Sequence, residues 1–275
     1  MPYNKLRRGT PLLPYTSPML DLPDHDSRLA PPIVSTRGDR RTLEFKPGDI
    51  QSEMRLSRPD ALVLPYTRAM MCFVVLAPRP RHIVMVGLGG GSLLKFCHRY
   101  LPGARITVLE LRADVIALRE QFGVPPDDAR LRVLHADAAA WLAACDAGTC
   151  DVLLVDGYDD AGLPPALASA VFYAHCRRAL RPGGVLVANI FTYDPDYVTA
   201  QQRLARAFDG ALCWLSGIAG NNGILFAQRF ATSGAPPGSA LRFLRDTLRN
   251  RGLGAPFLNG LLARAVTAWL AWQSH

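Results

Sequence analysis

The sequence predicts an α/β protein with a central, mostly parallel sheet of seven strands and a small N-terminal β-hairpin domain. From residue 81 onward, short apolar runs alternate regularly with segments of helical character. Strands this apolar are buried on both faces, as in parallel sheets that helices cover on either side. The composition agrees, because 49% of the 275 residues are apolar and 20% are charged, which suffices for a large core.

The chain divides into four segments by composition and pattern. Residues 1–40 are rich in proline and charge and are interpreted as a poorly ordered arm. Residues 41–80 are expected to form a small β domain, because RRTLEF and DIQSEMRL flank the turn KPGD as in a β-hairpin, and PYTRAMMCFVVL then predicts a buried helix. Residues 81–235 hold the large sheet. Residues 236–275 predict two helices, LRFLRDTLRNRG and the amphipathic LLARAVTAWLAW.

The large sheet is predicted from five strands that alternate with helices. The strands are HIVMV, RITVLE, RLRVLHA, DVLLVD and GGVLVANIF; the helices are LLKFCHRYL, LRADVIALREQF, DAAAWLAAC and ALASAVFYAHCRRAL. ALCWLSGI and GILFAQRF, around the turn GNNG, predict two neighbouring antiparallel strands. Five βα units closed by such a pair make the Rossmann-like sheet that most adenosylmethionine-dependent transferases share.

Charge and cysteine content narrow the expected partners and compartment. The formal charge of +8 comes from arginines spread along the chain without a dense basic run, so nucleic acid is not an expected partner. The six cysteines show neither a CxxC pair nor metal-ligand spacing, and the N-terminal segment lacks an apolar signal region. We therefore expect reduced thiols, no metal and a cytoplasmic location. The last apolar stretch is interrupted by Arg264 and is too short to span a membrane.

Residues that end the first three strands of this sheet predict a site for an adenosine-containing cofactor. Ligands of open α/β sheets bind at the carboxyl ends of the strands. The loop G-L-G-G-G-S after the first strand lets a ligand approach the backbone and a helix N-terminus. Its glycines are Gly87, Gly89, Gly90 and Gly91. Glu110 ends the second strand, where a carboxylate can accept both hydroxyls of a ribose, and Asp137 follows the third, where it can accept from an adenine amino group.

Each of these features also has a simpler explanation. A glycine-rich turn can serve tight packing alone, Glu110 can cap a helix, and Asp137 can be the N-cap of the helix that begins AAAWL, a role compatible with adenine binding. A nicotinamide dinucleotide site would share the glycines and Glu110, but it usually has glycine where this chain has Ser92 and does not need Asp137. The combination favours S-adenosylmethionine or its decarboxylated form as co-substrate.

Two carboxylates after the fourth strand predict the chemistry. Asp156 ends the strand, and Asp159 follows in the loop, where both would face the reactive sulfonium. An alkyl ammonium, with a pKa of about 10.4, is not a nucleophile at neutral pH until a base removes its proton. This arrangement suits amine alkylation. The simpler explanation is a pair of solvated loop acids.

Over about residues 40–230 these motifs resemble the spermidine/spermine synthase family, the polyamine aminopropyltransferases. The resemblance includes the hairpin, the helix after it, the glycine loop, the D-x-x-D pair and the F-Y…L-R-P-G-G segment that begins at Phe172. It implies a transferase that moves an aminopropyl group from decarboxylated S-adenosylmethionine to putrescine or a related amine and releases methylthioadenosine. Because the family commonly forms dimers, it also implies a homodimer.

The same resemblance implies a role for each matched residue. Gln51 and Glu110 would contact the nucleoside, and Asp137 would contact the adenine. Asp156 would be the general base. The substrate-binding residues would be Tyr66, Tyr158 and Asp159, of which Asp159 would bind the far amine of the acceptor.

Three departures from the family pattern keep two alternatives open. Gly90 stands where the family loop has an aspartate that holds the donor's ammonium. Thr67 and Arg68 stand where the family has histidine and an acid, and Gly157 and Tyr158 stand where it has serines. An arginine near the acceptor site is expected to work against binding of a polycation. Because a neutral loop can accept a methionine carboxylate, one alternative is a methyltransferase that uses S-adenosylmethionine. The other is a non-catalytic binding protein that keeps the fold.

Overall fold

The computed structural model describes residues 30–159, 162–216, 221–231, 239 and 255–273. They form a three-stranded antiparallel sheet and a seven-stranded mixed sheet with helices on both faces. This architecture confirms the predicted fold class. The first 29 residues of the predicted arm lie outside the described residues.

The small sheet begins earlier than predicted. Its strands are β1 (Ile33–Arg37), β2 (Arg40–Glu44) and β3 (Ile50–Arg55), paired in that order. The β2–β3 pair is the predicted hairpin, whereas β1 falls inside the segment interpreted as an arm. A two-residue turn joins β1 to β2, and its Gly38 has a φ of 57°, a left-handed conformation that favours glycine.

A short, buried helical segment connects the two sheets. Helix α1 (Pro65–Met70) begins with proline at its first position and continues into a 3-10 turn (Met71–Val75). The prediction of a buried helix here is confirmed, although the last five residues wind more tightly. Ala69, Met70, Met71 and Phe73 are fully buried in the core, which fixes α1 against the large sheet.

The large sheet has the strand order β6-β5-β4-β7-β8-β10-β9, with β10 antiparallel to both of its neighbours. Its strands are β4 (His82–Val86), β5 (Arg105–Glu110), β6 (Leu131–His135), β7 (Cys150–Val155), β8 (Leu180–Phe191), β9 (Leu212–Ser216) and β10 (Asn222–Gln228). The chain runs outward from β4 to β6 and then returns to the other side of β4 with β7. This reversal opens a crevice at the carboxyl ends of β4 and β7, where ligands of such sheets bind.

The helices cover the sheet and create a separate apolar core on each face. They are α2 (Ser92–Tyr100), α3 (Ala113–Ala117), α4 (Ala138–Ala144), α5 (Ala170–Ala179) and α6 (Tyr197–Ala207). Helix α3 is shorter than predicted and ends near a turn at Gly123, whose φ is 62°. Helix α6 was not predicted.

The C-terminal helix α7 (Ala255–Gln273) packs against α1 and the 3-10 turn that follows it. This confirms the second predicted C-terminal helix, whereas the first, at 241–252, lies outside the described residues. Within the described part of the chain, no helix has the length and apolar character needed to cross a bilayer.

Candidate active site

A cavity of about 940 Å³ lies at the carboxyl ends of the central strands, under the small sheet and α1. Its wall brings together nine of the eleven predicted site residues: Gln51, Tyr66, Gly87, Gly89, Glu110, Asp137, Asp156, Tyr158 and Asp159. The other two, Gly90 and Gly91, are not among the residues that line it. Four strand ends and the N-terminal sheet therefore converge on one space.

The glycine loop after β4 packs tightly on the end of β7. Gly87 has a φ of 90°, and a Cβ atom at this position would lie 2.3 Å from the backbone oxygen of Asp156. The Asp156 amide donates to the carbonyl of Val86 at 3.0 Å, which pins the two strand ends together. Only glycine satisfies both the conformation and the spacing. The loop thus sets the position of the Asp156 backbone.

Gly90 has no room for a side chain. A Cβ atom there would lie 2.7 Å from Ser52 Oγ and 2.8 Å from Phe122 Cδ1. Phe122 is itself held by the buried Lys95, whose Nζ donates to the Phe122 carbonyl at 2.6 Å. Burial lowers the pKa of Lys95 to about 8. The space for a side chain at Gly90 is filled by Ser52 and Phe122.

Glu110 is held in a fixed orientation at the end of β5. Its Oε2 accepts from the Leu88 amide at 2.7 Å, and its Oε1 accepts from the Arg112 amide at 2.9 Å. The residue is only 8% exposed, and burial raises its pKa while these backbone donors oppose the rise. Because Glu110 also lines the cavity, its carboxylate can accept from hydroxyl groups of a ligand.

Asp137 is the N-cap of α4, as its simpler explanation expects. Its Oδ1 accepts from the Ala139 amide at 2.8 Å. Because Asp137 also lines the cavity, its second oxygen can accept from a ligand at the same time. The two roles are compatible in this structure.

Asp156 sits at the centre of a polar cluster on the cavity wall. Its Oδ2 accepts from Tyr66 Oη at 3.1 Å, and its Oδ1 accepts from Asn189 Nδ2 at 2.9 Å. Desolvation inside the protein raises the pKa of Asp156, and the two donors oppose that rise. Burial and the nearby Asp156 charge raise the pKa of Tyr66 well above its ordinary value, so Tyr66 stays a donor. The carboxylate is desolvated and oriented at once.

Asn189 and Asn222 belong to this cluster but were not predicted. Asn222 Nδ2 donates to Asn189 Oδ1 at 2.8 Å, and both side chains line the cavity. Asn189 had a signal in the sequence, since it is the one polar residue in the apolar run VLVANIF. Asn222 was assigned to the turn GNNG, whereas it is the first residue of β10.

Tyr158 and Asp159 form the other side of the cavity. Tyr158 Oη donates to the Asn189 carbonyl at 3.1 Å and accepts from the Phe191 amide at 2.8 Å, while its ring lies 4.4 Å from that of Phe191. Asp159 Oδ1 accepts from the Gly162 amide at 3.0 Å. The Tyr158 hydroxyl is therefore occupied by the backbone, and Tyr158 offers a ligand mainly its ring.

Gln51 and Arg68 differ in their relation to the cavity. Gln51 lines it, and its Nε2 donates to Asp49 Oδ2 at 2.9 Å. Arg68 is not among the lining residues, because its guanidinium donates to the backbone carbonyls of Leu62 and Val63, at 2.9 Å for Val63. Arg68 therefore does not face the cavity directly, and its effect on acceptor binding stays a prediction.

The residues around the cavity suit a nucleoside and an amine. Within the described ranges, no group of three or more His, Cys, Asp or Glu side chains is arranged to hold a metal ion. The carboxylates of Glu110 and Asp137 match hydroxyl and amino donors. Asp156 can hold a cation and accept its proton.

Known proteins resemble this chain over more than half of its length. The family model of the spermine/spermidine synthase domain matches residues 64–208. The polyamine aminopropyltransferase of Chromobacterium violaceum is 36% identical over 219 residues, which cover 79% of this chain and 83% of that protein.

Solved structures share the fold at low identity. A spermidine synthase in complex with the transition-state analogue AdoDATO is 20% identical, with a TM-score of 0.58, covering 86% of this chain and 85% of that one. Human methyltransferase-like protein 13, in complex with SAH, is also 20% identical, with a TM-score of 0.54, covering 74% of this chain and 92% of that one. At this identity the two structures show a common fold alone.

Proposed function

The chain belongs to the spermine/spermidine synthase family, and we propose that its cavity transfers an aminopropyl group from decarboxylated S-adenosylmethionine to a small amine. The observation that carries the proposal is the position of Asp156. This carboxylate shares one cavity with Glu110 and Asp137, and two side-chain donors orient it. The proposed acceptor is a polyamine or another small amine, and nucleic acid is not a proposed partner.

The nucleoside end of the cavity lies between the glycine loop, Glu110 and Asp137. We assign the ribose hydroxyls to Glu110, whose two oxygens are already fixed by backbone donors. The adenine amino group is assigned to the free side of the Asp137 carboxylate, with Gln51 as a further contact from β3. This arrangement would point the sulfonium toward Asp156.

The reactive end depends on proton transfer to Asp156. The acceptor enters as an ammonium, and one N–H proton moves to an oxygen of Asp156. The freed lone pair attacks the propyl carbon next to sulfur, and the carbon–sulfur bond breaks with its electron pair on sulfur, which yields methylthioadenosine and a secondary ammonium. The protein contributes orientation and the base, since the sulfonium supplies the leaving group.

The acceptor would extend along the opposite wall. Asp159 lies on that wall and is the proposed contact for a second cationic group. Tyr66 donates from α1 to the Asp156 carboxylate, and the Tyr158 ring would line the path of the acceptor between Asp156 and Asp159. An aromatic ring beside an ammonium adds an attraction of about 0.5–2 kcal/mol.

The methyltransferase alternative is not favoured by the family match. It was motivated by Gly90, on the argument that a neutral loop can accept a methionine carboxylate. The space beside Gly90 is occupied by Ser52 and Phe122, and of these three residues only Ser52 lines the cavity.

We also propose a cytoplasmic location and a homodimer. The location is supported by the six cysteines, which are all buried as thiols. The dimer is supported by an exposed apolar face on α7 that carries Leu261, Trp269 and the 75% exposed Trp272. Sedimentation of the wild type and of Trp272→Glu tests it: a dimer that the substitution splits supports the proposal, and a monomeric wild type refutes it.

Product analysis separates the candidate functions. Purified protein is incubated with each sulfonium donor in turn and with a panel of diamines and monoamines. We expect methylthioadenosine and an aminopropylated amine with the decarboxylated donor only. Adenosylhomocysteine would instead identify a methyltransferase, and tight nucleoside binding without either product would identify a binding protein. Reactions without amine measure the background breakdown of the donor.

A further inference from the structure

A chain of side-chain hydrogen bonds runs from β10 through β8 to Asp156. Asn222 Nδ2 donates to Asn189 Oδ1 at 2.8 Å, and Asn189 Nδ2 donates to Asp156 Oδ1 at 2.9 Å. Asn189 is 3% exposed and Asn222 is 7% exposed, so water competes little for these contacts. Both asparagines lie outside the set of residues that the sequence motifs point to.

The direction of this chain depends on how the Asn189 amide is turned. An asparagine offers two donors on Nδ2 and an acceptor on Oδ1. In the observed orientation, Nδ2 faces the Asp156 carboxylate and Oδ1 faces the Nδ2 of Asn222. The reversed amide would place oxygen against the carboxylate and nitrogen against nitrogen, which are two repulsive contacts.

We propose that Asn222 is a positioning residue that fixes the Asn189 amide so that Asn189 always donates to the Asp156 carboxylate. The inference rests on the proposed function, because it assigns Asn222 a part in keeping the base ionised. Neither asparagine gains or loses a proton over the working pH range. The hydrogen bonds from Asn222 through Asn189 therefore stabilise the charged form of Asp156 at every pH.

Other groups around Asp156 also affect its pKa. Tyr66 faces it from α1 as a second donor, and Tyr158 faces it from the loop after β7. Asp159 lines the same cavity. Desolvation raises the pKa of Asp156, and the Asn189 bond is the larger of the two hydrogen-bond effects that lower it. Loss of a defined Asn189 orientation would therefore move this pKa upward.

The pH profile of the Asn222→Leu variant tests the proposal. Leucine has a similar size but no donor, so the acid limb of kcat/KM should move to higher pH by about one unit. This shift corresponds to a rate about tenfold lower on that limb. At alkaline pH the rate should return to within about threefold of wild type, and affinity for methylthioadenosine should not change. A loss that is equal at every pH would show a merely structural role and overturn the proposal.

Two further variants sharpen the result. Asn221→Leu is the matched control, since Asn221 is adjacent, exposed and not among the lining residues, and its profile should equal that of wild type. In the Asn189→Leu background, the Asn222→Leu change should have no further effect, because its path to Asp156 is already gone. Additive shifts in the double variant would contradict the inference.

A measurement without turnover separates this inference from the proposed function. The carboxyl carbon of Asp156 is titrated by NMR in wild type and in Asn222→Leu. If the wild type yields no methylthioadenosine, the proposed function fails, while an upward shift in this titration still supports the role of Asn222. Identical titrations overturn it.

If Asn222→Leu does not fold, the isosteric Asn222→Asp replaces it. The direct effect of the new carboxylate's charge on the pKa of Asp156 is measured in the Asn189→Leu background. A pKa shift in excess of that effect supports the proposal, and no excess overturns it.

Discussion

Asp156 and Asp137 show how the surroundings of a carboxylate decide what it can do. Asp137 spends one oxygen on the cap of α4 and keeps the other for a ligand. Asp156 accepts from Tyr66 and Asn189 in a desolvated site, where its pKa is raised. A raised pKa makes Asp156 a stronger base than an ordinary aspartate. Two side chains of one type thus suit two different tasks.

Replacing Asp156 with asparagine should abolish turnover and spare nucleoside binding. The variant keeps the shape of the side chain but cannot accept the ammonium proton, and loss of a general base lowers rates by about 10²- to 10⁴-fold. Single-turnover kinetics and titration with methylthioadenosine measure the two effects. Asp146→Asn, at an exposed position, is the control. A wild-type rate in Asp156→Asn would remove the residue from the mechanism.

Replacing Glu110 with alanine should weaken nucleoside binding about 10- to 100-fold. Hydrogen bonds to a charged acceptor are worth about 1.5–3 kcal/mol, and the variant loses those to both ribose hydroxyls. Calorimetric titration with methylthioadenosine gives the affinity, and thermal unfolding reports whether the lost contacts to Leu88 and Arg112 matter for folding. Glu120→Ala, which is exposed, should bind as wild type does. Unchanged affinity in Glu110→Ala would refute the ribose assignment.

The residues at strand ends could be predicted, whereas their partners could not. The positions of Glu110, Asp137 and Asp156 follow from where each apolar strand stops, which is a local property of the chain. The contact of Asn222 with Asn189 depends on the pairing of β10 with β8, in which Asn222 lies opposite Phe191. That register arises from packing across the whole sheet, and no local pattern encodes it.

Among the elements, the glycine loop shows the strictest geometric demand. Gly87 has a left-handed backbone conformation, and a Cβ atom at this position would lie only 2.3 Å from the backbone oxygen of Asp156. The loop must keep its course for the end of β7 to stay in place. Ser52 and Phe122 pack against the same loop at Gly90, and Ser52 of the N-terminal sheet also lines the cavity.

Gly87→Ala should therefore destabilise the protein and impair catalysis together. Backbone strain alone costs about 1–3 kcal/mol, and displacement of Asp156 should lower kcat at least about tenfold. Chemical denaturation and steady-state kinetics measure the two losses. Gly103→Ala is a matched control, because a Cβ atom there meets nothing within 4 Å. Equal stability of Gly87→Ala and Gly103→Ala would contradict this account of the loop.

Most elements of the large sheet could be predicted, and the exceptions have physical reasons. The βα alternation is strong because each strand is rich in apolar residues and each turn is polar or glycine-rich. Strand β1 was missed because it follows a proline-rich stretch and pairs on one side only. Helix α6 buries only Ala200 and Leu204, so few buried apolar residues mark it in the sequence.

At the scale of the whole molecule, the sheet separates two cores and leaves one open edge where the site forms. The site lies at the carboxyl ends of the strands. At their amino ends, polar contacts hold neighbouring segments together, and His82, the first residue of β4, makes two of these contacts. His82 Nδ1 lies 2.9 Å from the Thr149 carbonyl, and Nε2 lies 3.0 Å from Thr107 Oγ1. Burial lowers the pKa of His82 from 6.5 to about 4.

The folding stability should therefore fall as the pH drops from 6.5 to about 4, between the pKa values of His82 in the unfolded and the folded chain. Above pH 6.5, His82 is neutral in both the folded and the unfolded chain. Between 6.5 and about 4, only the unfolded chain binds the proton, so stability is lost, by about 2 kcal/mol between pH 7.5 and pH 5. Denaturation curves at both pH values measure the loss. His82→Leu should show a smaller loss by about that amount, and parallel pH dependence in both proteins would contradict the prediction.

A crystal structure with methylthioadenosine and a diamine bound tests whether the four strand ends form one catalytic site. We expect the ribose hydroxyls at Glu110, the adenine at Asp137, and the thioether sulfur facing Asp156, with an amine nitrogen within hydrogen-bonding distance of that carboxylate. A nucleoside bound elsewhere, or bound with its sulfur turned away from Asp156, would contradict the account.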